Sequence, residues 1–225
     1  MERNITDTLL ELPLLQGMSR SDIVSNFDYT RLKLTSLSAS RYAIRQDAIC
    51  DGLLFLIDGH VVLERQSADR SWYVEEELTS PLVAGLEVLY GSTRTYPYSL
   101  RTVTPCQVFT ISKQQAASLL DNNEVFRLNV LNTLTSTIAR RDHQAWLPAA
   151  DSLEARIMQF VRSHVYYPAG AKTLHITLQN LGSYLDMDSR YISRALHGME
   201  QAGLLQTMRR NIHIPHLETL VQAYG

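Results

Sequence analysis

The 225-residue chain predicts an α+β fold in three parts: a body of short strands, one long helix, and a compact C-terminal unit of helices and a hairpin. Three observations predict it. Apolar runs flank Asp58-Gly59, the strongest short-range hairpin signal. Residues 123–146 keep a helical pattern without Gly or Pro. From Thr177 onward, two short amphipathic helices are separated by three residues, and the outer side of the second is cationic.

Taken in order, Ile5, Leu9, Leu10 and Leu12 recur at helical spacing before Pro13. A second short helix begins near Ser19, whose hydroxyl can cap it. From about Leu32 to Ile111 the signals are for strands. The runs 53–57 and 60–63 surround the Asp58-Gly59 turn, where Gly freely supplies positive φ. A second turn falls at Ala68-Asp69-Arg70, before Trp72-Tyr73-Val74. Strands at 99–103 and 107–111 flank Thr104-Pro105. Short strands at this spacing predict a sandwich or barrel.

Ser112 can cap a helix over 113–120. The long helix follows, about 35 Å if it runs its full length. Leu128, Leu131, Leu134 and Ile138 form one apolar stripe on it, which packs either on its own domain or on a partner as a dimer seam. Pro148-Ala149-Ala150 ends the helix. Leu153, Ile157, Phe160 and Val161 then describe another amphipathic helix, and a terminal hairpin closes the chain. The domains expected are 1–122, strands with N-terminal helices; 123–147, the long helix; and 148–225, the C-terminal unit.

Composition bounds the function classes. The chain is 45% hydrophobic and 20% charged, ordinary for a soluble domain, with formal net charge -2. From Asp151 onward seven basic residues face six acidic ones, while the rest carries fourteen against seventeen. A near-neutral tail on an acidic body is a weak nucleic-acid footprint. Cys50 and Cys106 have no spacing for zinc or an iron–sulfur cluster and are read as core residues. No cofactor is expected. His60 and His143 are read as surface or structural residues rather than haem ligands. G-x-S-x-G, a Walker loop and H-E-x-x-H are all absent from the sequence, so the chain is not read as an enzyme. No apolar run approaches roughly 18 residues and no signal pattern opens the chain, which gives the expectation of a cytoplasmic location without membrane partners.

The informative stretch is 177–203, TLQNLGSYLDMDSRYISRALHGMEQAG. Thr177 can cap a helix over 178–185, with Leu181 and Leu185 inward and Gly182 permitting close approach. Asp186-Met187-Asp188 is a tight turn, and Asp188 caps the next helix. There Ile192, Ala195, Leu196 and Met199 share the buried side. Ser189, Arg190, Ser193, Arg194 and His197 lie outward. This is helix-turn-helix spacing. Arg190 and Arg194 are four apart and share a face, and each can donate two hydrogen bonds to guanine O6 and N7. The runs 204–207 and 211–214 flank Met208-Arg209-Arg210, a wing whose arginines can reach phosphate.

From about Leu12 to Ile214 the chain resembles the Crp/Fnr, or catabolite activator-like, bacterial regulators. The resembling segments are 12–19, LPLLQGMS; 55–61, FLIDGHV; and 189–196, SRYISRAL. The resemblance implies a jelly-roll β-barrel of the cyclic-nucleotide-binding type, a dimerisation helix and a C-terminal winged helix-turn-helix. It implies a homodimer on palindromic double-stranded DNA, with Arg194 as the usual base-contacting Arg and RNA polymerase as a partner.

The chain also departs from that family. Cyclic-nucleotide binders carry Gly-Glu and, further on, Arg-Ser or Arg-Thr. Here the first place reads Gly85-Leu86-Glu87, and the second falls on Tyr96-Pro97, with Arg94-Thr95 just before it. The adenine-contacting Thr-Ser pair of the long helix is replaced by Arg141-Asp142. The effector is therefore expected to be either absent or an unknown small molecule rather than cyclic AMP, and if the pocket is occupied, apolar Leu86 and Val88 point to a less charged ligand. Arg190 stands where many members carry Glu. Leu178 stands at a phosphate-contacting Arg, leaving Gln179 for that role. A sensor module acting on a protein partner without DNA is the alternative, and the cationic helix face and the wing argue against it.

Overall fold

The structure, a computed structural model, describes residues 5–26 and 34–225. Leu32, where strand signals begin, lies outside the described residues. The elements begin with α1 (Ile5–Leu10), α2 (Arg20–Asn26), β1 (Thr35–Leu37) and β2 (Tyr42–Ile44). Then come β3 (Gly52–Asp58), β4 (His60–Gln66), β5 (Tyr73–Thr79), β6 (Leu82–Ala84), β7 (Ser99–Thr102) and β8 (Cys106–Ser112). The helices α3 (Lys113–Asn122), α4 (Glu124–Ala145) and α5 (Leu153–His164) follow. The chain ends with β9 (Lys172–His175), α6 (Leu178–Leu185), α7 (Ser189–Gln201), β10 (Gln206–Met208), β11 (Asn211–Ile214) and α8 (Leu217–Tyr224).

The chain divides into two compact units, one of residues 1–61 and 78–145, the other of 62–77 and 146–225. In the first, β1, β8, β3 and β6 form an antiparallel sheet. The central strand β3 is buried from Gly52 to Leu56 because its sequence is a continuous apolar run. Phe55 stacks on Phe109 of the neighbouring strand at 4.6 Å. β2 and β7 pair in a second sheet. The two sheets share no strand pairing, so of the sandwich and barrel that the spacing allows the chain forms the sandwich, and the jelly-roll barrel that the resemblance implies is corrected. A local turn signal cannot report closure, because closure depends on which distant strands pair. The Asp58-Gly59 turn forms as predicted. Gly59 has φ +115°, and a Cβ there would meet Cys106 Sγ at 2.5 Å.

Helix starts follow their capping residues. Ser19 Oγ accepts from the Asp22 amide at 3.1 Å ahead of α2. Ser112 and Gln115 form a reciprocal capping box at α3. On α4, Phe126 and Val130 are buried in the unit's own core. The predicted stripe lies on another side: Leu128 is 55% exposed, Leu131 50% and Ile138 66%, with Leu134 half-buried.

In the second unit, α5 to α8 and β9 to β11 enclose a core of Ile157, Phe160, Leu181, Ile192, Leu196 and Ile212, with other apolar residues. Two features depart from the sequence reading. Beyond the predicted terminal hairpin lies α8, with Leu217 and Leu220 buried at helical spacing after Pro215. The tip of the β4–β5 hairpin, residues 62–77, also belongs to this unit. β5 pairs antiparallel with β9, placing Val74 opposite Leu174 and Glu76 opposite Lys172. These inward pairs are the period-2 face of β5, and Glu76 and Lys172 are completely buried. Their ion pair is 3.0 Å long. Glu76 also accepts from the amides of Tyr166 and Tyr167, and Lys172 donates to Ala169 O at 2.8 Å. Trp72 sits in the same core, 5.2 Å from Phe160 and edge-on to His164 at 4.9 Å.

Candidate nucleic-acid interface

α6 and α7 are joined by Asp186-Met187-Asp188, as the sequence spacing predicts. Thr177 Oγ1 accepts from the Asn180 amide at 3.1 Å and starts α6. Asp186 ends α6 in the left-handed region, at φ +50°. The chain can turn sharply here because Gly182 has no side chain: a Cβ there would stand 2.5 Å from Met187 O. Asp188 Oδ1 accepts from the Arg190 amide at 2.8 Å and caps α7.

α7 is strongly two-sided. Ile192, Ala195, Leu196 and Met199 are buried, while Ser189, Arg190, Ser193, Arg194 and His197 are exposed. The exposed side thus gathers five polar or cationic side chains on a helix whose other side is fixed in the core. Arg190 is held by Asp188, with Nε to Oδ1 and Nη2 to Oδ2 both at 3.1 Å. The Arg190 guanidinium and amide together hold the Asp188 carboxyl below its ordinary range. Arg194 has no such partner among the described residues. His197 Nε2 lies 3.0 Å from Gln201 Nε2.

The hairpin β10–β11 forms with Arg209 and Arg210 at its exposed turn. Arg210 adopts φ +67°. Glu200 near the end of α7 fixes the hairpin by accepting from Thr207 N and Oγ1 at 2.8 and 2.9 Å. The sequence reading missed this tie, which joins residues seven apart across a turn. Between α7 and the hairpin lies an open cleft of about 660 Å³. Ser193, His197, Arg209 and Arg210 line it above a floor of Leu196 and Ile212. The structure therefore brings four of the predicted contact residues around one cleft, with Leu178 also lining it. Ser189 and Arg190 stand at the start of α7, and exposed Gln179 lies in the first turn of α6.

The expected effector residues occupy the first unit. Gly85, Leu86 and Tyr96 are buried, Glu87 and Thr95 half-buried, and Arg94 exposed. Gly85 packs beside Cys50 and Tyr96, and Tyr96 Oη donates to Gly52 O at 3.5 Å. Burial and the neighbouring Cys50 push the Tyr96 phenol far upward. Glu87 Oε1 is buried without a hydrogen-bond partner among the described residues. No three His, Cys, Asp or Glu side chains come together as a metal site among the described residues, and no described helix is long and apolar enough to cross a membrane.

Residues 34–123 match the cyclic nucleotide-binding domain family. Over 95% of this chain and all of the other, the structure is similar to the catabolite activator protein of Thermus thermophilus, with 16% identity and a TM-score of 0.52. The chain is Crp/Fnr-like in fold. DNR from Pseudomonas aeruginosa is similar at 18% identity over 100% of this chain and 99% of its own, with a TM-score of 0.46. CLP of Xanthomonas campestris, a c-di-GMP responsive global regulator, is similar at 16% identity over 87% of this chain and 99% of its own, with a TM-score of 0.45. No curated protein sequence matches the chain. The expected effector residues lie in the connection between β6 and β7, within the matched residues, and α6, α7 and the β10–β11 hairpin carry the exposed basic side chains.

Proposed function

We propose that the protein is a homodimeric, sequence-specific DNA-binding transcription regulator. The observation that carries the reading is the outward side of α7, where Ser189, Arg190, Ser193, Arg194 and His197 are all exposed on a helix anchored from behind. In this reading α7 enters the major groove. Arg190 and Arg194 read base edges, Ser189 and Ser193 allow close approach, and Gln179, Arg209 and Arg210 contact phosphate. The exposed stripe of Leu128, Leu131 and Ile138 with Leu134 is the dimer seam. It supports this role because apolar side chains on a long helix need a partner surface to leave water. An effector acting on the first unit would bias the spacing of the two α7 helices.

The effector is not a cyclic nucleotide in this reading. A cyclic phosphate needs a guanidinium aimed at it and backbone donors around it. Here Leu86 and Tyr96 are buried where the polar partners are expected, and Arg94 is exposed. Calorimetric titration with cyclic AMP is expected to give no heat of binding, and micromolar binding would overturn this part of the reading.

DNA binding is tested by titrating the protein onto a random-sequence duplex across salt concentrations. Phosphate contacts predict that affinity falls steeply and log-linearly with salt. A protein-directed sensor module without DNA function predicts no such affinity at any salt concentration.

A further inference from the structure

Arg190 and Arg194 sit on the same exposed face of α7 but are held differently, and the difference points to a specificity-determining residue. Asp188 grips Arg190 side-on. Nε donates to one carboxylate oxygen and Nη2 to the other, both at 3.1 Å. A guanidinium has five N–H donors in a planar fork. The side-on grip uses two of them and leaves the far end free: both Nη1 hydrogens and the outer Nη2 hydrogen. That end is the one whose two parallel donors match guanine N7 and O6.

The arrangement is also anchored. Asp188 Oδ1 takes the Arg190 backbone amide at 2.8 Å, so the carboxylate is tied to the first turn of α7. The partial positive charge of the helix start favours an ionised carboxylate there. The carboxyl is held down in pH by the same contacts, so it stays charged at neutral pH. An exposed arginine left to itself populates many rotamers, and ordering them on binding costs free energy. Arg194 meets that cost in full, whereas Arg190 is already aligned.

We propose that Asp188 is a positioning residue that braces Arg190 as a guanine reader, so that Arg190 rather than Arg194 sets the stricter base preference of each half-site. This rests on the DNA-binding reading above, and it adds a residue whose negative charge by itself opposes DNA. That opposition gives it a signature no phosphate-contacting or merely structural residue shares.

The test uses the full-length protein and its own best sequence, selected from a random duplex pool. Base discrimination at each half-site position is then compared between wild type, Asp188→Ser, Arg190→Lys and the double variant. Serine keeps the helix cap while removing the brace, and melting temperature checks that the fold survives. A braced bidentate contact is worth roughly tenfold or more in discrimination. Asp188→Ser is expected to lose about three- to tenfold of the guanine preference at one position, while affinity for random DNA holds or rises. Adding it to Arg190→Lys is expected to cost nothing further at that position.

Unchanged discrimination in Asp188→Ser, with only a lower melting temperature, would reduce Asp188 to a cap and overturn the proposal while leaving DNA binding intact. Raised affinity together with sharper discrimination would also overturn it, since Asp188 would then be holding Arg190 away from the base. If the wild type selects no sequence, the DNA-binding reading itself fails and the brace falls with it.

Discussion

Two acid–base pairs in the same unit are built in opposite ways. Glu76–Lys172 has no exposed atoms, and every partner around it is protein: two amides on the carboxylate and a carbonyl on the ammonium. Asp188–Arg190 is mostly in water, with the arginine side chain 86% exposed. A buried pair returns its desolvation penalty only when its geometry and hydrogen bonds are complete, and removing one partner leaves an uncompensated charge. An exposed pair adds little to stability. The first pair therefore specifies where β5 joins β9, and the second is free to serve recognition. Salt bridges of similar length carry different information because of what surrounds them.

The sharpest way to break the comparison is at the buried pair. Lys172→Met is expected to cost about 3–5 kcal/mol in chemical denaturation, because Glu76 is left charged or must protonate. Adding Glu76→Leu should recover much of the loss, short of the two amides it abandons. If Lys172→Met is neutral, the pair does not organise the β5–β9 junction. Next in size is the seam. Leu131→Asp would place an unpaired charge in the proposed dimer contact, so the account predicts a wild type that sediments as a dimer and a variant that sediments as a monomer at the same concentration. A dimeric variant would refute the seam.

On the recognition side the effects are smaller and appear in binding rather than folding. Arg194→Ala should cost about 1–3 kcal/mol of specific affinity and relax one base position. Arg209→Ala should weaken all sequences alike and reduce the salt slope by about one. The smallest effect concerns pH. Burial pushes the His164 imidazole below its ordinary value, with the Phe160 carbonyl acting weakly the other way. The unfolded chain then binds a proton more readily than the folded one, so stability should fall as pH drops through the ordinary histidine range. His164→Gln should remove that portion of the pH dependence, and an unchanged profile would exclude His164 as its source.

The recognition side was far more legible in the sequence than the junction. Thr177, Asp186 and Asp188 act within a few residues of themselves, and α7's inward and outward positions follow from helical spacing alone. Ser112 and the Asp58-Gly59 turn were readable for the same reason. The β5–β9 pairing was not. Tyr73-Val74-Glu75-Glu76-Glu77 reads as a solvated acidic strand, and nothing local says that its middle carboxylate meets a lysine nearly a hundred residues away. Trp72 was read as a strand residue beside a turn, whereas it fills the core of the C-terminal unit. The choice of an open sandwich over a barrel was hidden for the same reason, since it depends on which distant strands pair. The α8 helix is a different case: Leu217, Leu220, Val221 and Tyr224 carry a helical period after Pro215 that was open to reading. For the site, the residue types on α7 were legible, but the side-on grip of Asp188 on Arg190 depends on rotamers that spacing does not fix.

The most direct test of the account is selection of bound sequences from a random duplex pool by the wild-type protein, with the stoichiometry of the winning complex measured alongside. The account predicts an inverted repeat with guanine in each half-site, half-sites about one helical turn apart, and two chains per duplex. A single half-site bound by one chain would contradict the α4 seam, and the absence of any enriched sequence would contradict the reading of α7 as a recognition helix.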